Sequence, residues 1–212
     1  TAGDALDGTG TCNIAAGLNA LGAATSGDDN VAIGQLALGA GVTTGAVNIA
    51  IGKNAADALT SGACNIAMGV NALGAATDNC NNIAIGDTAL GASDGDGDNN
   101  IAIGTSTMGG ADVSGANNIA MGTYAADALT SGACNIALGI NALGAATNNN
   151  DNVAIGKSAL AATVNDGDCN IAIGSVALGG ADVSGDHNIA LGANAADAIT
   201  SGACNIALGI NA

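Results

Sequence analysis

Apolar and polar positions alternate along this chain in short bursts that return at a nearly fixed interval. Each burst reads Asn, Ile or Val, Ala, a mostly aliphatic residue, Gly, from Asn13-Ile14-Ala15-Ala16-Gly17 to Asn205-Ile206-Ala207-Leu208-Gly209. Twelve bursts occur, always 17 or 18 residues apart. Alternation with a period of two is the mark of an extended strand. A short, constant period across a whole chain is the mark of a solenoid, in which each repeat is one supersecondary unit. With the burst's Asn as position 0, Asn, Ala and Gly recur without exception at positions 0, 2 and 4. The alternation predicts that the aliphatic positions 1 and 3 point into the coil and that 0, 2 and 4 point away from it. The stretch that follows, Ala-Leu-Gly-Ala or Ala-Ala-Asp-Ala-Leu, predicts a second short strand with a further Leu inside. Thr60-Ser61-Gly62 and Val183-Ser184-Gly185 read as turns. Glycine recurs too often, and no 3.6-residue period is sustained, for a helical reading.

The predicted fold is therefore all-β: a parallel β-solenoid, or β-roll, forming one repeat domain over residues 1–212 with no helices of note. About twelve coils begin near residues 13, 30, 48, 65, 82, 100, 118, 135, 152, 170, 188 and 205. Stacked at the ~4.8 Å strand spacing they make a rod about 55 Å long. Equivalent residues fall into columns, and the column at position 0 predicts a ladder of side-chain amides from Asn30, Asn48, Asn65, Asn82, Asn100, Asn118, Asn135, Asn152, Asn170 and Asn188. A 70-residue cycle of four coils lies over the shorter one, visible in the return of Ser61–Gly69 as Ser131–Gly139 and Ser201–Gly209. It points to duplication of four-coil blocks. The sequence begins and stops inside a repeat, which predicts a segment of a longer fibre or a subunit that stacks end to end.

Composition narrows the picture. The chain has no Phe, Trp or Pro and a single Tyr, so its core is built from thin aliphatic layers. The formal charge is −16 and every one of the 18 acidic residues is Asp, a turn former. Lys53 and Lys157 are the only basic residues and cannot form a phosphate-binding stripe, which argues against nucleic acid as a partner. No apolar run is long enough for membrane insertion as a helix. Ala at position 2 and Gly at position 4 make a smooth stripe, sampled by Ala50, Gly52, Ala84, Gly86, Ala120, Gly122, Ala154 and Gly156. The stripe permits close approach by another copy, and self-association through it is expected, in a trimer or a side-by-side bundle.

Candidate chemistry is sparse. No catalytic residues are assigned: His187 is the only imidazole, and no serine or cysteine has a base placed to activate it. Five of the six cysteines stand at the position before the motif Asn, and Cys80 stands one place earlier. Only Cys64 and Cys80 lie on adjacent coils, close enough for a disulfide; the others read as free thiols or as bonds to another chain. Asp94, Asp96 and Asp98 alternate with Gly in a composition that suits calcium, and no other cofactor is implied.

The motif Asn-Val/Ile-Ala-Ile-Gly-x-x-Ala-Leu, as in Asn30 to Leu38, Asn82 to Leu90 and Asn152 to Leu160, resembles the head repeats of YadA-like trimeric autotransporter adhesins and related repeats of bacteriophage tail fibres. The resemblance implies a homotrimeric, surface-displayed fibre used for attachment, located outside the cell, on its surface or on a virion, with a cell-surface receptor as a second partner. The alternative is an ice-binding or other flat-surface-binding solenoid. Its expected Thr row at position 12 (Thr25, Thr60, Thr77, Thr130, Thr147 and Thr200) is interrupted by Val42, Asp94, Asp112, Val164 and Asp182.

Overall fold

The computed structural model describes residues 10–24, 26–94, 97–163 and 167–212. Each burst forms one three-residue strand at positions 1 to 3. In chain order these are β1 (Ile14–Ala16), β2 (Val31–Ile33), β3 (Ile49–Ile51), β4 (Ile66–Met68), β5 (Ile83–Ile85), β6 (Ile101–Ile103), β7 (Ile119–Met121), β8 (Ile136–Leu138), β9 (Val153–Ile155), β10 (Ile171–Ile173), β11 (Ile189–Leu191) and β12 (Ile206–Leu208). They form one parallel sheet in sequence order, each coil paired with the next. Register is strict: Ala102 of β6 stands opposite Ala120 of β7, and Ala120 opposite Ala137 of β8. The predicted β-solenoid is thus present.

The predicted inside and outside are reversed. Ala at position 2 is the buried residue of every interior strand, with Ala32, Ala84, Ala120 and Ala154 at 0 % exposure, and the Asn before each of these strands is buried with it. The aliphatics at positions 1 and 3 stand on the outer surface, half-buried or exposed. The coil is too narrow for large side chains on both walls. Ala on the sheet wall leaves room for one large residue from the opposite wall, at position 8: Leu21, Leu38, Leu73, Leu90, Met108, Leu143, Leu160 and Leu178, all buried. Where position 8 is Ala56 or Ala126, buried Leu59 or Leu129 three residues later fills the space instead. Each of these coils thus receives one large side chain from that wall, and the coils of Met108 and Leu178 bury Val113 and Val183 besides.

The opposite wall is not the second strand that the pattern predicts. Its backbone pairs from coil to coil, for example Leu38 N–H to the Ala55 carbonyl at 3.0 Å and Leu73 N–H to Ala89 at 2.9 Å. But positions 6 and 8 are left-handed, as at Asn71 (φ 53) and Leu73 (φ 52), so the chain runs through successive turns. The residue before each motif Asn is left-handed too, and Gly at position 4 has φ between +129 and +141 in every coil. A side chain at that glycine meets the next coil: a Cβ on Gly122 would lie 2.6 Å from the Gly139 carbonyl oxygen. These corners close a loop of 17 or 18 residues around a core one side chain thick.

Candidate interaction face

A buried amide needs partners at both ends, and the Asn column supplies them. Asn118 N–H donates to Asn100 Oδ1 at 2.8 Å, Asn118 Nδ2 donates to the Gly132 carbonyl at 2.9 Å, and Asn118 Oδ1 accepts Asn135 N–H at 2.9 Å. The backbone-to-Oδ1 step repeats from Asn30 to Asn205. The expected ladder exists, but inside the coil, where it replaces part of a hydrophobic core. Asn170 differs in one respect: its Nδ2 is buried without a partner.

A second ladder runs two residues before the motif Asn and was not anticipated. There a side-chain acceptor receives the backbone N–H of the equivalent residue one coil earlier. Asp28 takes Thr11 N–H at 2.7 Å, Asp98 takes Cys80 N–H at 2.6 Å and Asp168 takes Asn150 N–H at 2.7 Å. The Thr11 amide and hydroxyl hold the Asp28 carboxyl below the usual carboxylate range. Cys80 occupies the same column, its sulfur accepting Ala63 N–H at 3.4 Å. The recurrence of Asp two places before the Asn was the available signal.

The stripe assigned to self-association lies elsewhere than predicted. Ala50, Ala84, Ala120 and Ala154 are buried in the coil, and Gly52, Gly86, Gly122 and Gly156 pack against the glycine of the next coil. Another molecule reaches those Ala only by opening the solenoid, and the Gly, half-buried, sit at the corner beside the sheet. The surface left for contact is the outer side of the sheet. It carries two columns of Ile, Val, Met and Leu at positions 1 and 3, broken only by Ala16. Ile33 is 41 % exposed and Met121 42 % exposed. No charged residue stands in either column. Roughly 55 Å long and ~17 Å wide between its two edges, the face measures about 900 Å². That exceeds the few hundred Å² of apolar patch usual on a monomer and is close to the ~800 Å² each partner gives to a stable interface.

Two columns border this face. The residue before the motif Asn (position −1) forms one edge, and the residue after the motif Gly (position 5) forms the other. Cys12, Cys64, Cys134 and Cys204 lie exposed on the first edge, and Cys169 is half-buried there. Leu18, Val70, Ile140 and Ile210 lie exposed on the second, as do Lys53 and Lys157. All six cysteines are free, so Cys64 and Cys80 are not joined: Cys64 points outward from a left-handed corner, whereas Cys80 turns back to the Ala63 amide. Partial burial, and then the carboxylates of Asp151, Asp168 and Asp186, raise the Cys169 thiol above its ordinary value.

Other candidate residues are dispersed. Asp98 is engaged with the Cys80 amide, Asp94 presents its backbone N–H to Asp112 Oδ1 at 2.8 Å, and Asp96 lies outside the described residues. Among the described residues no three acidic, His or Cys side chains are grouped to hold a metal ion. Of the Thr row, Thr60 and Thr130 donate their hydroxyls to the carbonyls of Thr77 and Thr147, at 2.8 and 2.9 Å. Thr25 and Val164 lie outside the described residues. His187 and Tyr124 are exposed on left-handed corners. Among the described residues no helix is long and apolar enough to cross a membrane. No family model, curated protein or solved structure matches the chain.

Proposed function

We propose that this chain is a structural β-solenoid, a rod segment of an extracellular filament, surface adhesin or phage tail fibre, whose aliphatic sheet face is covered by further copies of itself. The observation that carries the reading is the uncharged double column at positions 1 and 3, which runs from the second coil to the twelfth and stays open to solvent in the single chain. Burying it is worth roughly 25 cal/mol per Å² of apolar area. A scattered surface residue needs no such account, but a continuous face does.

The dimensions suit three copies. Three faces each ~17 Å wide close a triangular prism whose axis lies about 5 Å from each sheet, half the ~10 Å spacing of packed sheets. Four would leave the axis about 8 Å away and the centre unfilled. The likeness of the motif to trimeric fibre heads supports the same arrangement. Light scattering and electron microscopy of the purified chain test the reading, with Ile101→Lys/Ile103→Lys as the variant. Discrete trimers or filaments that this variant dissociates, with its circular dichroism unchanged, are the expected result. A monomeric wild-type chain overturns it and moves a flat non-protein ligand to the front.

A further inference from the structure

We infer that copies of this chain join parallel and level, the −1 edge of one against the position 5 edge of the next, so that each coil meets the same coil of its neighbour. The inference rests on the proposed self-association through the sheet face and adds its direction, its register and a role for the cysteines.

The first observation is conformational. Position −1 is left-handed in every coil, with φ between 56 and 63. Asn and Asp tolerate that conformation best, and a β-branched residue there is an outlier. Asp29, Asn99, Asn117 and Asp151 fit the rule, but Val47 and five cysteines do not, and Val47 and four of the cysteines are exposed. The fold of one chain gives these side chains almost nothing to pack against, so their apolar character answers to something outside it.

The second observation is a match between two edges that do not touch. Coils with Cys12, Cys64, Cys134 and Cys204 at position −1 carry Leu18, Val70, Ile140 and Ile210 at position 5. Coils with Asn99, Asn117 and Asp151 at −1 carry Thr105, Thr123 and Lys157. The cysteine coils share one type within the four-coil block, and coils starting at Val47, Cys169 and His187 do not follow the match. The two edges of a coil lie about 17 Å apart across an extended strand, too far for these side chains to meet within one chain. Rotation about an axis parallel to the rod brings them together. It sets one copy's −1 edge beside the next copy's position 5 edge at the same height, the heterologous contact that closes a ring. Thiols then seat against aliphatics, and Lys157 meets Asp151. A shift of one coil would place Ile140 against Asp151 or Asn117. A shift of four keeps the thiols matched but parts Lys157 from Asp151. Antiparallel copies would set −1 against −1. In the level arrangement the cysteines are packing groups covered by the neighbour, unpaired because no second thiol faces them.

Ile140→Cys supplies that second thiol at an exposed position the fold does not use. With oxidised glutathione, the introduced thiol and that of Cys134 on the adjoining copy would form one disulfide, the two electrons and two protons passing to glutathione to give two reduced molecules. The expected result is an interchain bond between Cys134 and the introduced thiol, seen by mass spectrometry, with on the order of tenfold more covalent dimer than the wild-type chain, because the bond needs Cα atoms within about 7 Å. Thr123→Cys, which faces Asn117, stays unlinked. Light scattering on the same samples separates the two readings. An assembled protein that links Cys134 to Cys134, links Thr123→Cys equally, or leaves the Ile140→Cys thiol unlinked overturns the level arrangement alone. A monomer overturns the face itself.

Discussion

An asparagine inside a narrow core is tolerable only while each amide is held by the coils on either side. Asn118 shows the dependence: remove its side chain and both Asn135 N–H and the Gly132 carbonyl lose a partner in a dry interior. Asn118→Ala is expected to cost about 2–5 kcal/mol, read as a fall in the denaturation midpoint. The left-handed edge behaves in the opposite way. Cys134→Asn suits its φ of 61 and is expected to stabilise the isolated chain by up to about 1 kcal/mol while weakening association, which denaturation and sedimentation would separate. Asp57 gives a pH signature. Partial burial raises its pKa, so its ionisation works against the fold, and the loss grows as pH rises through the raised value. Asp57→Asn should therefore raise the melting temperature at neutral pH and make no difference near pH ~3, below the ordinary carboxylate range.

At the scale of the strand, the sequence pattern located every element and misassigned its two faces. Alternation fixes which residues share a side, not which side is inside, and the usual choice of large apolar residues for the interior fails here. The signal was in the variability: positions 0, 2 and 4 never change, whereas position 3 passes among Ile, Met, Leu and Ala. A packed, hydrogen-bonded site admits one residue; a surface admits several. Ala120, fully buried, is thus a folding residue. Ala120→Lys should unfold the coil, and a soluble, folded, dissociated variant would contradict the assignment. Gly122→Ala, at φ +132 and against the Gly139 carbonyl, should cost about 2–4 kcal/mol by thermal denaturation. The second strand was misread because many of its left-handed corners fall on Leu, Thr, Ser and Val, which read as extended chain, although Asn at position 6 of half of the coils, as at Asn71 and Asn141, was a mark of the left-handed region.

For the whole molecule, the period alone was enough to specify a rod, and the interaction face became visible only once the strands were oriented. The formal charge of −16 sets copies against one another, so association through an uncharged face should strengthen with added salt, which sedimentation at low and high ionic strength would register. The sheet order has a mechanical consequence. Every ladder bond from one coil to the next points along the rod, so a pull on its ends loads them directly, many at once within each junction. The junctions themselves stand in series, and twelve sequentially paired strands make a tether only as strong as its weakest link. The coil of Asn170, whose Nδ2 has no partner, is where such a tether is expected to give way first.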